Sequence, residues 1–105
     1  MGKSQRDKGK RGEYIARDWL KHIWPSAKRG ANQSRAGNEA ADVEGTPFWV
    51  EVKIGARPNI MAAMRQAQEA TDGRPCLVMS KRDREGMLVT MTVEDWLWLA
   101  RKAEG

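Results

Sequence analysis

The sequence predicts an α/β domain with a mixed β-sheet flanked by helices, in the element order α-β-β-α-β-β-α. Three observations carry that prediction. Apolar residues recur every three or four positions in three separate segments, and short strand-like runs come in two pairs. A helical segment lies between the pairs, long enough for a right-handed crossover that leaves two neighbouring strands parallel.

The elements follow in order. Residues 1–10 contain no apolar residue after Met1 and read as a flexible basic arm, with residues 11–105 forming one domain. Ile15, Ala16, Trp19, Leu20 and Ile23 then trace the apolar stripe of a helix that ends before Pro25. Glu13 opens it at the flank of the stripe. Residues 26–39 are rich in Ser, Gly, Asn and Arg and read as a loop, with a short edge strand expected over 31–35. Residues 41–45 and 48–53 are a hairpin pair around Thr46-Pro47, the second alternating Phe48, Val50 and Val52 against Trp49, Glu51 and Lys53. Pro58 and Asn59 start a helix with Ile60, Ala63, Met64 and Ala67 on one face, ending near Gly73. Residues 76–80 and 87–91 are two more strands. Thr92, with Asp95 three residues on, caps a last helix whose stripe is Val93, Trp96, Leu97 and Ala100.

Composition narrows the chemistry. With 105 residues the chain has room for one core. No stretch approaches ~18 apolar residues and the N-terminus has no apolar signal region, so a cytoplasmic protein without membrane contact is expected. One cysteine, Cys76, and one histidine, His22, cannot build a disulfide framework or a Cys/His zinc cluster. Cys76 reads as a buried strand residue and His22 as a helix-surface residue. Any metal must then be held by oxygens, which favours Mg²⁺ or Mn²⁺.

The net charge of +5 is unevenly spread. Residues 1–38 carry ten Lys/Arg against three acids, or +7, and residues 39–105 carry nine against eleven, or −2. The basic excess includes Lys3, Arg6, Lys8, Lys10 and Arg11, and resumes at Lys28, Arg29 and Arg35. A polyanion such as DNA is the partner this suggests, against the plainer reading of a solubilising tail.

Parity places two carboxylates together. A two- or four-residue closure of the hairpin sets Asp42 opposite Glu51, with Cβ atoms ~5 Å apart and Lys53 on the same face. A three-residue loop would instead set Asp42 opposite Val50. Two such carboxylates repel unless a cation lies between them, so a divalent ion with Glu13 nearby is the functional reading. Ordinary Glu-Lys alternation on an exposed hairpin is the structural one.

Gly12-Glu13 on the first helix, Ala41-Asp42-Val43, Val50-Glu51-Val52-Lys53 and a following helix with Gln66 together resemble the PD-(D/E)xK nuclease superfamily. Its small Holliday-junction-resolvase-like branch, found in phages and prophages, is the most similar, and the resemblance runs from about Lys8 through the last strand pair. It implies a restriction-endonuclease-like core and a Mg²⁺- or Mn²⁺-dependent endonuclease that hydrolyses DNA phosphodiesters in recombination or processing. Asp42 and Glu51 would be metal ligands, joined by the Val52 backbone carbonyl and by Glu13, directly or through water. Lys53 would be the catalytic lysine, and Gln66, or Gln68 on the other flank, would orient it or a phosphate. The sequence departs from the family pattern in having Ala41 where proline is usual.

The resemblance also implies branched DNA as substrate and a homodimer able to cut it twice. A nicking or flap-type nuclease of the same fold, and a non-catalytic DNA-binding accessory protein, are the rival readings. Trp49 shares the Glu51 face, where it either packs or stacks on a base. Trp24 and Trp98 read as candidates for a dimer interface.

Overall fold

The computed structural model describes residues 3–30 and 40–105, and side chains from Asp7 onward within them. It is an α/β fold of three helices and a five-stranded mixed sheet. The elements are α1 (Lys3–Leu20), β1 (Lys28–Arg29), β2 (Val43–Glu44), β3 (Trp49–Gly55), α2 (Ile60–Ala70), β4 (Cys76–Arg82), β5 (Met87–Thr90) and α3 (Val93–Glu104). Strand order in the sheet is β1-β2-β3-β4-β5, with β3 and β4 parallel and every other pair antiparallel. The helical crossover expected from sequence is α2, which joins the two parallel strands.

Three expectations about the elements need correction. The segment 1–10, read as a flexible arm, is helical from Lys3 and continuous with the predicted helix. Lys, Arg and Gln are good helix formers that need no apolar face, and Lys8 is tied across to Asp83 at 3.1 Å. One strand more is present than the predicted order contains: β1 lies at Lys28–Arg29, paired with Glu44 and Val43. The strand expected over 31–35 lies outside the described residues. Finally, α1 ends at Leu20, and the residues before Pro25 form a turn in which the amides of His22 and Ile23 bond three residues back. Ile23, beyond the helix end, is therefore 70% exposed, and Trp19, still within α1, is also 58% exposed, although both belong to the apolar stripe.

The sheet separates two cores. On one face Ala16 and Leu20 of α1 pack with Val43, Val50, Val52, Leu77 and Met79. On the other, Ala63, Met64 and Ala67 of α2 pack with Trp49, Cys76 and Val78. The alternation read in 48–53 is thus correct, but with both faces covered β3 buries Trp49 and Glu51 as well as its valines. Asn59 caps α2 by accepting the Ala62 amide at 2.9 Å, and Thr92 caps α3 by accepting the Asp95 amide at 3.1 Å.

Gly12 sets how closely α1 approaches β3. A Cβ there would stand 2.9 Å from Ile54 Cγ2, so only glycine fits without displacing the strand's side chain. Glu13 is the next residue, and its position depends on that contact. Gly12→Val is expected to destabilise the fold by about 1–3 kcal/mol through overpacking. Thermal unfolding measures this, and an unchanged melting temperature would contradict the packing.

Candidate functional site

The sheet opens where β2 stops short. Val43 pairs with Val50, the register of a two- or four-residue closure, which if continued regularly would set Asp42 opposite Glu51. The ladder does not continue regularly. The Asp42 amide donates to the Val50 carbonyl at 2.8 Å, and its carboxylate Oδ2 accepts the Val52 amide at 2.8 Å. A side chain thus takes the place of a strand carbonyl at the exposed edge of β3. In an extended strand the N–H and C=O of one residue project to the same side. The Val52 carbonyl therefore leaves toward the same opening.

A groove of about 510 Å³ lies there, its lining shared by Lys8, Glu13, Asp42, Glu51, Val52, Lys53 and Gln66. The predicted site residues converge on it from three elements, α1, β3 and α2, and from Asp42 just before β2. Gln66 takes part and Gln68 is not among the lining residues. Glu13 reaches the groove from α1, but its Oε1 accepts a hydrogen bond from Arg29 Nε at 2.9 Å. Arg29, read from sequence as a DNA contact, is thereby engaged within the protein, with its guanidinium also over the Tyr14 ring.

Electrostatics make Asp42 unusual. Burial pushes its pKa up to about 6, helped by the negative charge of Glu13. The Val52 amide, the Lys53 ammonium and a hydrogen bond with Glu51 act in the opposite direction and do not cancel the burial. Glu51 itself is only 3% exposed, and the buried Trp49 indole Nε1 donates to its Oε1 at 3.3 Å. The Arg74 guanidinium lies over the other side of this unit, 5.2 Å from the Trp49 ring centroid, and also bonds Glu44 and the Phe48 carbonyl. Trp49 consequently packs, and the base-stacking alternative does not fit its burial. The tie from Trp49 to Glu51 was missed in the sequence, although two residues apart on one strand share a face.

No known protein family, curated protein or solved structure matches the chain. The groove must be read from its own chemistry.

That chemistry fits a hard divalent cation. The donors are all oxygens, namely the Asp42 and Glu51 carboxylates and the Val52 carbonyl, and Asp42 is a buried acid whose ionised form lacks sufficient compensation. Among the described residues no group of three or more Asp, Glu, His or Cys side chains is gathered as a metal cage. The protein would supply a partial shell and leave the remaining positions to water or other oxygens.

Two basic side chains, Lys8 and Lys53, are among those lining the groove. Lys8 lines it while pairing with Asp83, and Lys10, Arg11 and Lys28 are exposed. Lys3 and Arg6 are on the first turns of α1, their side chains outside the described residues, and Arg35 lies outside them altogether. Among the described residues no helix is long and apolar enough to cross a membrane.

Proposed function

We propose that the protein is a divalent-metal-dependent DNA endonuclease with a restriction-endonuclease-like core, selective for branched or otherwise structured DNA. The observation that carries this reading is the carboxylate of Asp42, buried to a pKa of about 6, beside the buried Glu51 and above Lys53 in an open polar groove. A protein that only bound DNA would gain nothing from unscreened acids at a phosphate.

Asp42, Glu51 and the Val52 carbonyl would hold Mg²⁺ or Mn²⁺, which when bound supplies an acidified water and offsets charge on the reacting phosphate. The chain's own residues do the rest. Lys53, on the Glu51 face of β3, orients the attacking water or stabilises the phosphate's developing negative charge. Glu13, held by Arg29, adds negative potential that favours the cation. Gln66 offers an amide donor to a phosphate oxygen. Lys8, Lys10 and Arg11 on one helix, with Lys28, contact flanking phosphates and fix the duplex without reading its bases.

The test uses labelled four-way, flap, nicked and linear DNA with Mg²⁺, Mn²⁺ or EDTA. Cleavage of branched DNA that requires the divalent ion is expected. Binding without cleavage under every ion would overturn the nuclease reading in favour of an accessory DNA-binding role. Preference for flap or nicked DNA would replace only the resolvase assignment, and equal cleavage of linear duplex would remove the structural selectivity.

A further inference from the structure

The last helix presents its apolar stripe to solvent. No residue of α3 is buried, although Thr92 caps it and its sequence is strongly amphipathic. Its inner side rests on the body through Leu99, which joins the core beside Met91 and Trp24. The stripe predicted to pack inward faces out instead. Val93 is 71% exposed, Trp96 56% and Leu97 38%. Beside the helix lies a groove of about 630 Å³ with Ile23, Trp24, Phe48, Val89 and Trp98 in its walls. Large aromatic and aliphatic side chains gathered in this way mark an interaction surface rather than scattered exposure.

Charge indicates the occupant. The first turn of α3 carries Glu94 and Asp95, and its last turn carries Arg101 and Lys102. Glu94 and Arg101 are seven residues apart, so they lie within about 20° of each other on the same flank of the stripe. Neither is in an ion pair with another described residue. Consider a second copy of α3 laid antiparallel along the first about a two-fold axis near Leu97 and Trp98. That rotation keeps each flank on its own side and reverses the helix direction, so each Glu94 meets an Arg101 of the other copy. The positive N-terminal end of each helix dipole also lies beside the negative end of its neighbour. The surface is therefore self-complementary, as an isologous interface requires.

We infer that the exposed face of α3 forms a homodimer interface, with the two α3 helices antiparallel and Glu94 paired to Arg101 across the two-fold. Leu97 sits at the centre of this contact, and Val93 and Ala100 extend it on either side. The inference depends on none of the nuclease residues and holds or fails independently of the proposed activity.

Sedimentation equilibrium of the full chain tests it, with circular dichroism confirming that each variant remains folded. Wild type is expected to be dimeric at micromolar concentration, and Leu97→Glu monomeric. Glu94→Arg and Arg101→Glu each place like charges together twice per dimer and should weaken association by about tenfold. Combining them in one chain recreates the opposite pairing and should recover most of that loss, a rescue that a partner of different sequence would not give. A monomeric wild type up to ~1 mM would overturn the inference. So would a dimer indifferent to Leu97→Glu, which would point to the β5 edge, or a double variant no tighter than either single one.

Discussion

Asp42→Asn is expected to make the metal-free protein more stable at pH 7.5 and to remove the proposed cleavage of DNA. The stability effect follows from the sign of the pKa shift. An aspartate that titrates at 3.8 in the unfolded chain and about 6 in the native protein makes the folded state bind the extra proton between those values. Stability contributed by this group is therefore full below about pH 4, declines as pH rises through 6, and is lost above it. The difference corresponds to a penalty of up to about 3 kcal/mol at neutral pH. Asparagine carries no charge and can still accept the Val52 amide through its side-chain oxygen. Melting temperature should thus fall between pH 4.5 and 7.5 in wild type more steeply than in the variant. Adding Mg²⁺ should raise the wild-type melting temperature and leave that of Asp42→Asn nearly unchanged. Losing the ligand forfeits several kcal/mol of transition-state stabilisation, roughly a 10³-fold fall in rate. If the variant melts lower than wild type at pH 7.5, the burial of Asp42 is not the strain described above.

Lys53→Ala should give the opposite change in stability with a similar loss of activity. Lys53 is one of the groups that hold the Asp42 pKa down, so its removal lets that pKa climb further and deepens the penalty at neutral pH. The catalytic rate constant should fall roughly 10²–10⁴-fold, the range for a positioned proton-handling group. KM for DNA should change little, because the phosphate contacts proposed for α1 would be untouched. Single-turnover cleavage and thermal melts of both variants separate the two roles. Equal stability changes for Asp42→Asn and Lys53→Ala would contradict the electrostatic coupling between these residues.

Much of the site was legible because strand parity is a local rule. Once a hairpin around Pro47 was recognised, Asp42, Glu51 and Lys53 could be placed together, and the Val43–Val50 pairing has that register. What could not be read is the way Asp42 substitutes for a missing ladder partner, since this depends on β2 being only two residues long. A two-residue strand such as Lys28–Arg29 likewise has no alternation to detect. The Arg29–Glu13 pair spans sixteen positions and exists only because α1 packs beside β1. Val93, Trp96 and Leu97 show a different limit. Periodicity identified the apolar face of α3 correctly but carried no information about what would cover it. In residues 3–10, with no apolar positions, periodicity was silent and helix propensity decided the conformation.

That basic helix has a thermodynamic consequence. Fixing the backbone of one residue costs about 1–2 kcal/mol of conformational entropy. A loose tail would incur this cost on meeting DNA, whereas residues already helical from Lys3 incur it during folding. In the proposed complex with DNA their charges would also arrive at a set rise of 1.5 Å per residue, so the number of phosphates neutralised at once would be fixed by the geometry of a rod. Association should accordingly behave as the docking of two preformed surfaces. Its salt dependence would count a constant set of contacts, and its heat-capacity change would be small, lacking the large signature of a segment that folds as it binds.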